Sequence, residues 1–179
     1  TELIDGVFYD MASPSVTHQL IIGELYLQLK ACEKKHEGRC RVILSPCDVQ
    51  LNQDACTIIQ PDLLVVCDRE KIKGRNCYGA PDLIIEVLSP SSRSHDCVLK
   101  LNKYMHSGVR EYWIIDPKAE TIDVYVLEDG KFTMSGSYHN YTDEEWEGLD
   151  EDEKEEAMLP LKLSLYDELT VDVKEVFEK

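Results

Sequence analysis

The stretch APDLIIEVLSPSS, residues 80–92, decides how this chain folds. Leu83, Ile84, Ile85, Val87 and Leu88 form a nearly unbroken apolar run, so both faces of the strand must be covered. That is the pattern of a central strand buried within a sheet. Glu86 sits inside the run. An unpaired carboxylate there is costly, so its partners must come from elsewhere in the chain.

Side chains alternate along a strand, which puts Asp82, Ile84, Glu86 and Leu88 on one face. Asp82 and Glu86 are about 13 Å apart at the usual rise, too far to share one ion. Asp82 is therefore expected to be structural, capping a backbone group at the strand start. The preceding strand, QPDLLVV, offers Asp62 just after Pro61. Pairing the two strands can bring Asp62 and Glu86 side by side. Two adjacent carboxylates repel unless a cation lies between them, and oxygen-only ligation favours Mg²⁺ or Mn²⁺.

The helix after the strand supplies the third element. Asp96, Lys100 and Tyr104 recur every four residues along one flank. Val98, Leu101 and Met105 are expected to mark its buried stripe. A helical wheel sets Lys100 closer to that stripe than Lys103, so Lys100 leans toward Glu86 while Lys103 faces water. An ammonium so placed can orient a nucleophile or stabilise developing charge at a phosphate.

Working outward, ELIDGVFYD carries the Asp-Gly signal of an N-terminal hairpin. Residues 13–38 read as a helix capped by Ser15 or Thr17, with Leu20, Ile21, Leu25 and Leu29 at helical spacing and Gly38 closing it. CRVILSPCDVQL and CTIIQPDLLVVCD are expected to be two strands joined by a polar turn. REKIKGRNCYG reads as a loop whose Lys71, Lys73 and Arg75 form a basic cluster, solvated or touching a phosphate backbone. A helix to Gly108 leads to the strand VREYWIID, whose Tyr112 and Trp113 belong to the core. A hairpin turning at Asp129-Gly130 and a short strand with a terminal helix complete the chain. A hairpin followed by a helical crossover gives a mixed sheet, and the absence of repeats and linkers predicts one α/β domain over residues 1–179.

The net charge of −16 is a caution against a phosphate-binding surface. Ten of the fourteen residues 143–156 are acidic, however, which reads as a solvated loop or helix face, and the remainder is milder. Seven cysteines, an odd number without C-x-x-C spacing, suggest reduced thiols in a cytoplasmic protein. No run is apolar and long enough to span a bilayer, and the first residues lack the character of a signal peptide.

Taken together, DGVFYDM, PSVTHQLI, QPDLLVV, APDLIIEVLSPSS, the D-x-x-x-K-x-x-x-Y spacing from Asp96 to Tyr104, and SGVREYWIIDP resemble the PD-(D/E)XK nuclease superfamily. Within it the resemblance is to a family of endonuclease-like proteins expanded in cyanobacteria. It covers Ile4 to about Leu127, and LPLKLSLYDEL resembles the closing segment. It implies a restriction-endonuclease-like fold, a mixed central sheet flanked by helices with an N-terminal hairpin. Asp62 and Glu86 would be the motif's two metal-binding acids. The classical lysine position holds Leu88, and the resemblance moves the lysine to the following helix, at Lys100. An acid on the first helix sometimes completes the metal shell, which makes Glu24 a candidate. His18 is expected first as a capping or core-edge residue and second as site lining. Ser89 caps the next helix and can touch substrate, and Tyr104 is a further lining candidate. The implied activity is Mg²⁺- or Mn²⁺-dependent cleavage of DNA, with a homodimer suggested by analogy. The alternative is a non-catalytic domain of the same fold used for protein association or nucleic-acid binding.

Overall fold

The computed structural model describes residues 1–179 except 36–38, 53–54, 91–94, 166–169 and 179. Strands β1 (Glu2–Ile4) and β2 (Val7–Tyr9) form the N-terminal hairpin, with Asp5 and Gly6 both at positive φ, as a tight two-residue turn requires. Helix α1 (Val16–Lys35) starts where the Ser15 hydroxyl accepts the His18 amide at 3.1 Å, so Ser15 is the cap. Its buried face is Ile21, Ile22, Leu25, Leu29 and Cys32. Leu20, expected with them, is 58% exposed. The expected closing residue Gly38 lies outside the described residues.

The two long apolar runs that follow each divide in two. The first gives β3 (Arg41–Leu44) and β4 (Asp48–Gln50), and the second gives β5 (Ile58–Ile59) and β6 (Leu63–Val66). They do pair as a hairpin, β3 with β6 and β4 with β5. Pro46 and Pro61 fall at the breaks, where a residue without an N–H cannot extend a ladder. Each run therefore passes from one sheet into another. The segment read as a polar loop holds a short 3₁₀ turn, Arg69–Lys71, and a small hairpin, β7 (Ile72–Lys73) and β8 (Asn76–Tyr78). Lys71 donates to the Ala80 carbonyl at 2.8 Å, so one member of the basic cluster is committed to the backbone.

The quoted stretch forms β9 (Leu83–Val87), buried at every position. A π-helical segment, His95–Lys100, runs into α2 (Leu101–Ser107), which ends at Gly108 in the left-handed region. Strand β10 (Glu111–Asp116) then pairs parallel to β9, the crossover expected. Strands β11 (Thr121–Glu128) and β12 (Lys131–His139) form the Asp129-Gly130 hairpin. Of the two forms expected for the acidic run, it takes the helical one. It makes two short exposed helices, α3 (Asp143–Gly148) and α4 (Glu151–Ala157), each with a capping box, from Thr142 and Asp150. Strands β13 (Leu161–Lys162) and β14 (Thr170–Val171) and helix α5 (Val173–Phe177) close the chain.

The central sheet is mixed, in the order β12-β11-β10-β9-β6-β3. Residue alternation divides its side chains between two cores. Leu63, Val65, Leu83, Ile85 and Trp113 pack with α1 and α5 on one side. Leu64, Val66, Ile84, Tyr112 and Ile114 pack on the other with Tyr104 of α2 and with Ile4, Val49 and Ile59. Those last three come from a second sheet, β2-β1-β5-β4-β8-β7, which the sequence reading did not anticipate.

The cysteine expectation also needs correcting. The Arg41–Val66 register sets Cys40 opposite Cys67, and the two are disulfide-bonded, while Cys32, Cys47, Cys56, Cys77 and Cys97 are free thiols. None of the described helices is long and apolar enough to cross a membrane.

Candidate active site

Glu86 faces the second core, 3% exposed, at the point where β9 leaves its pairing with β6. Leu63 pairs with Ile85, the last paired step of the ladder, and Asp62 follows it, close enough that its charge acts on the Glu86 carboxyl. Asp62 is held by two donors on its Oδ2: the Val87 amide at 2.8 Å and His18 Nε2 at 3.0 Å. On Glu86 the described hydrogen bonds fall on Oε1, from Lys100 Nζ at 2.9 Å and from the Tyr104 hydroxyl at 2.6 Å. Leu88, at the classical lysine position, is buried in the apolar core.

Lys100 is enclosed by acids. Its Nζ lies 2.9 Å from Glu86, 3.0 Å from Glu2 Oε1 and 3.4 Å from Asp96 Oδ1. The expected stripe of Val98, Leu101 and Met105 holds only in part: Leu101 packs against the core and Met105 is half-buried, but Val98 is 59% exposed, while Asp96, Lys100 and Tyr104 are all buried. The polar flank turns inward because its partners are inside, Glu86 on β9 and Glu2 on β1. Lys103, expected in water, forms an ion pair with Asp5 at the hairpin turn.

Glu2 was missed. It is 3% exposed and also accepts the Gln60 amide at 3.0 Å, which ties the first strand to the residue two before Asp62. Its only signal was a charge two residues before Ile4 in a short strand, and no local pattern says what it meets.

Charge balance follows from this packing. Burial pushes the Glu86 carboxyl up to about 8, opposed by the Lys100 charge and reinforced by Asp62, Asp96 and Glu2. Burial alone would lower the Lys100 ammonium, but Glu86, Glu2 and Asp96 outweigh it and hold its pKa far above the ordinary lysine value. Lys100 is thus a fixed cation rather than a proton acceptor. Burial, with Glu86 next, raises the Tyr104 phenol well above its usual range, so it remains a donor.

The described residues contain no cluster of three or more His, Cys, Asp or Glu side chains placed to hold one metal ion. Glu2, Glu86 and Asp96 converge on the Lys100 ammonium instead. Glu24, the candidate from the first helix, accepts from Gln28 at 3.0 Å on its own helix. His18, expected first as a cap or core-edge residue, touches Asp62 and lines the site, with its Nδ1 buried and unpartnered. Ser89 is half-buried just beyond β9. The neighbouring Ser91 and Ser92 lie outside the described residues.

Two other acids are structural. Asp82 accepts the Cys67 amide at 2.7 Å, the expected cap. Glu111, fully buried, accepts Trp113 Nε1 at 2.6 Å and the Ser164 amide at 3.0 Å, fastening β10 to the closing segment.

The model of the Uma2 family, described as "Putative restriction endonuclease", matches residues 1–169. The chain belongs to that family. Its resemblance to the PD-(D/E)XK superfamily therefore stands on nearly the whole chain. An uncharacterised protein of Synechocystis sp. (strain ATCC 27184 / PCC 6803 / Kazusa) is 30% identical over 130 residues, 72% of this chain and 66% of that protein. A crystal structure described as a putative nuclease belonging to DUF820, from Anabaena variabilis ATCC 29413, superposes with a TM-score of 0.72. The match covers 98% of this chain and 88% of that one at 20% identity, and it shows that the Uma2 chain has the restriction-endonuclease-like fold.

Proposed function

We propose that this chain is a divalent-cation-dependent endonuclease hydrolysing DNA phosphodiester bonds, with Asp62, Glu86 and Lys100 as its site residues. The observation that carries the reading is the buried Glu86–Lys100 contact of 2.9 Å beside Asp62, in a member of a restriction-endonuclease family. Membership makes nucleic acid the expected substrate class, and DNA is the finer inference. The proposal takes residues 1–179 as one domain with a cytoplasmic location.

The donor set fits Mg²⁺ or Mn²⁺. Asp62 and Glu86 offer oxygen only, and Mg²⁺ commonly takes one or two carboxylates, with waters and substrate phosphate filling its other positions. The surroundings are also rich in acids, since Glu2, Glu86 and Asp96 gather about the Lys100 ammonium and Asp62 acts on Glu86. When bound, the cation would supply an activated water and neutralise charge at the scissile phosphate.

The chain's own groups divide the remaining work. His18 and the Val87 amide hold Asp62 through Oδ2, so Oδ1 would be the oxygen it offers a cation. Lys100 and Tyr104 orient Glu86 through Oε1 in the same way. Lys100, kept protonated by its acids, stabilises charge developing on the phosphate. Access is from the Asp62 side, where the side chain is 17% exposed against 4% for Glu86.

The non-catalytic reading draws on that same burial, because an enclosed Glu86–Lys100 pair can serve as a structural tie. Supercoiled plasmid and single-stranded DNA, incubated with Mg²⁺ or Mn²⁺, separate the two. Catalysis predicts cleavage by the wild type that is lost in Glu86→Ala and in Lys100→Ala. Cleavage surviving both substitutions overturns the site assignment, and no cleavage by the wild type supports the non-catalytic domain.

A further inference from the structure

Helix α1 is apolar on two opposite faces. One carries Ile21, Leu25 and Leu29 into the core. The other carries Val16, Leu20 and Leu27, which are 77%, 58% and 63% exposed, with Ala31 also exposed and Gly23 between them. At 3.6 residues per turn these five positions span only about 80° of the helix surface. Three large aliphatic side chains sharing one solvent-facing strip mark an interaction surface. Gly23 points the same way. Glycine weakens a helix interior relative to alanine, yet a Cβ at this position would meet nothing within 4 Å, so no neighbour inside the chain requires its absence.

Charge and register identify the occupant. The chain carries a net charge of −16, so most pairs of faces from two copies repel each other. None of the exposed residues of α1 is acidic. The strip is also complementary to itself. A twofold axis midway between two antiparallel copies of the helix, level with the Gly23–Glu24 peptide, sets Leu20 against the partner's Leu27 and Val16 against the partner's Ala31, each contact occurring twice. Gly23 then lies near the crossing point, where the lack of a side chain lets the backbones approach.

We propose that this face of α1 is the interface of an antiparallel, twofold homodimer of the chain. The inference rests on the chain's own surface and is independent of the nuclease reading. His18 lies on the buried side of α1, so pairing leaves its contact with Asp62 intact.

Sedimentation velocity of the full chain across a concentration series tests this. The wild type is expected to be dimeric at tens of micromolar. Leu20→Lys alone and Leu27→Glu alone should each raise the dimer dissociation constant by about 100-fold or more, since each places charge in an apolar contact. The double variant sets an introduced lysine against an introduced glutamate at both Leu20–Leu27 contacts, and should recover to within about tenfold of the wild type. Both sites are exposed, so far-UV circular dichroism should show each of the three variants folded. A monomeric wild type overturns the proposal. So does a dimer indifferent to Leu27→Glu, or a double variant no tighter than the single ones, because that excludes the antiparallel register.

Discussion

The ammonium of Lys100 lies 2.9 Å from Glu86 Oε1, and Glu2 and Asp96 hold it from other directions. A lysine so confined keeps its charge and gives up its mobility. Its chemical use is as a fixed positive point beside the two acids, unlike a flexible surface lysine that reaches for phosphate.

That position predicts the behaviour of Lys100→Met, which fills the space without charge. Cleavage should fall by about 100-fold or more, the scale of losing one preorganised electrostatic contact. Lys100→Arg should not restore it, since a planar guanidinium does not fit a site built around a compact ammonium. Single-turnover cleavage rates check both variants, with circular dichroism confirming their fold.

His18 predicts a milder defect. It orients Asp62 without being one of the two proposed cation-binding acids, and such supporting hydrogen bonds are typically worth about 10- to 100-fold. His18→Ala should raise the Mg²⁺ concentration needed for half-maximal cleavage by that factor. A change in rate at saturating Mg²⁺, with no change in cation requirement, would contradict a role exercised through Asp62.

Glu86 ties the site to stability. Its folded pKa of about 8 lies above the ordinary 4.5, so its contribution is fully present below the unfolded value and is lost as pH rises through about 8. Above that pH the buried carboxylate is ionised and destabilises the fold, with Lys100 offsetting only part of the cost of burial. In chelator at pH 9, Glu86→Gln should therefore melt roughly 5 °C or more above the wild type, with the gap closing near pH 5. Added Mg²⁺ should raise the melting temperature of the wild type and leave the variant unmoved.

Glu33 gives the opposite sign. Burial raises its carboxyl, but hydrogen bonds from Lys30, the Val42 amide and Arg41 outweigh that and hold it below the ordinary value. Stability from this group is present above the unfolded pKa and lost as pH falls through the folded one. Glu33→Gln should thus flatten the acid limb of a thermal-melt series below about pH 5 relative to the wild type.

Much of this was readable from residue order because the signals were local. Asp5-Gly6 and Asp129-Gly130 announce hairpins, since both positions need positive φ. The run from Leu83 to Leu88 specified a central strand, and alternation then placed Asp62 beside Glu86. Four-residue spacing brought out Asp96, Lys100 and Tyr104 together. What stayed hidden depended on distant partners. The second sheet is built from strands of two or three residues, too short for a periodic signal, and Glu2 acquires its meaning only when that sheet folds over the site. Parity of the cysteine count could not reveal one cross-strand pair, Cys40–Cys67. Leu20 stands about 140° from Leu25 and about 180° from Leu29 around the helix, which puts it on the strip opposite the core rather than with Ile21 and Leu25.

The central claim is that Asp62 and Glu86 together hold a catalytic divalent cation, and Mn²⁺ binding followed by electron paramagnetic resonance tests it most directly. The account predicts saturable binding by the wild type, competed by Mg²⁺, and loss of that site in both Asp62→Asn and Glu86→Gln while Leu88→Ala retains it. A wild type that binds no Mn²⁺, or variants that bind it undiminished, would contradict it.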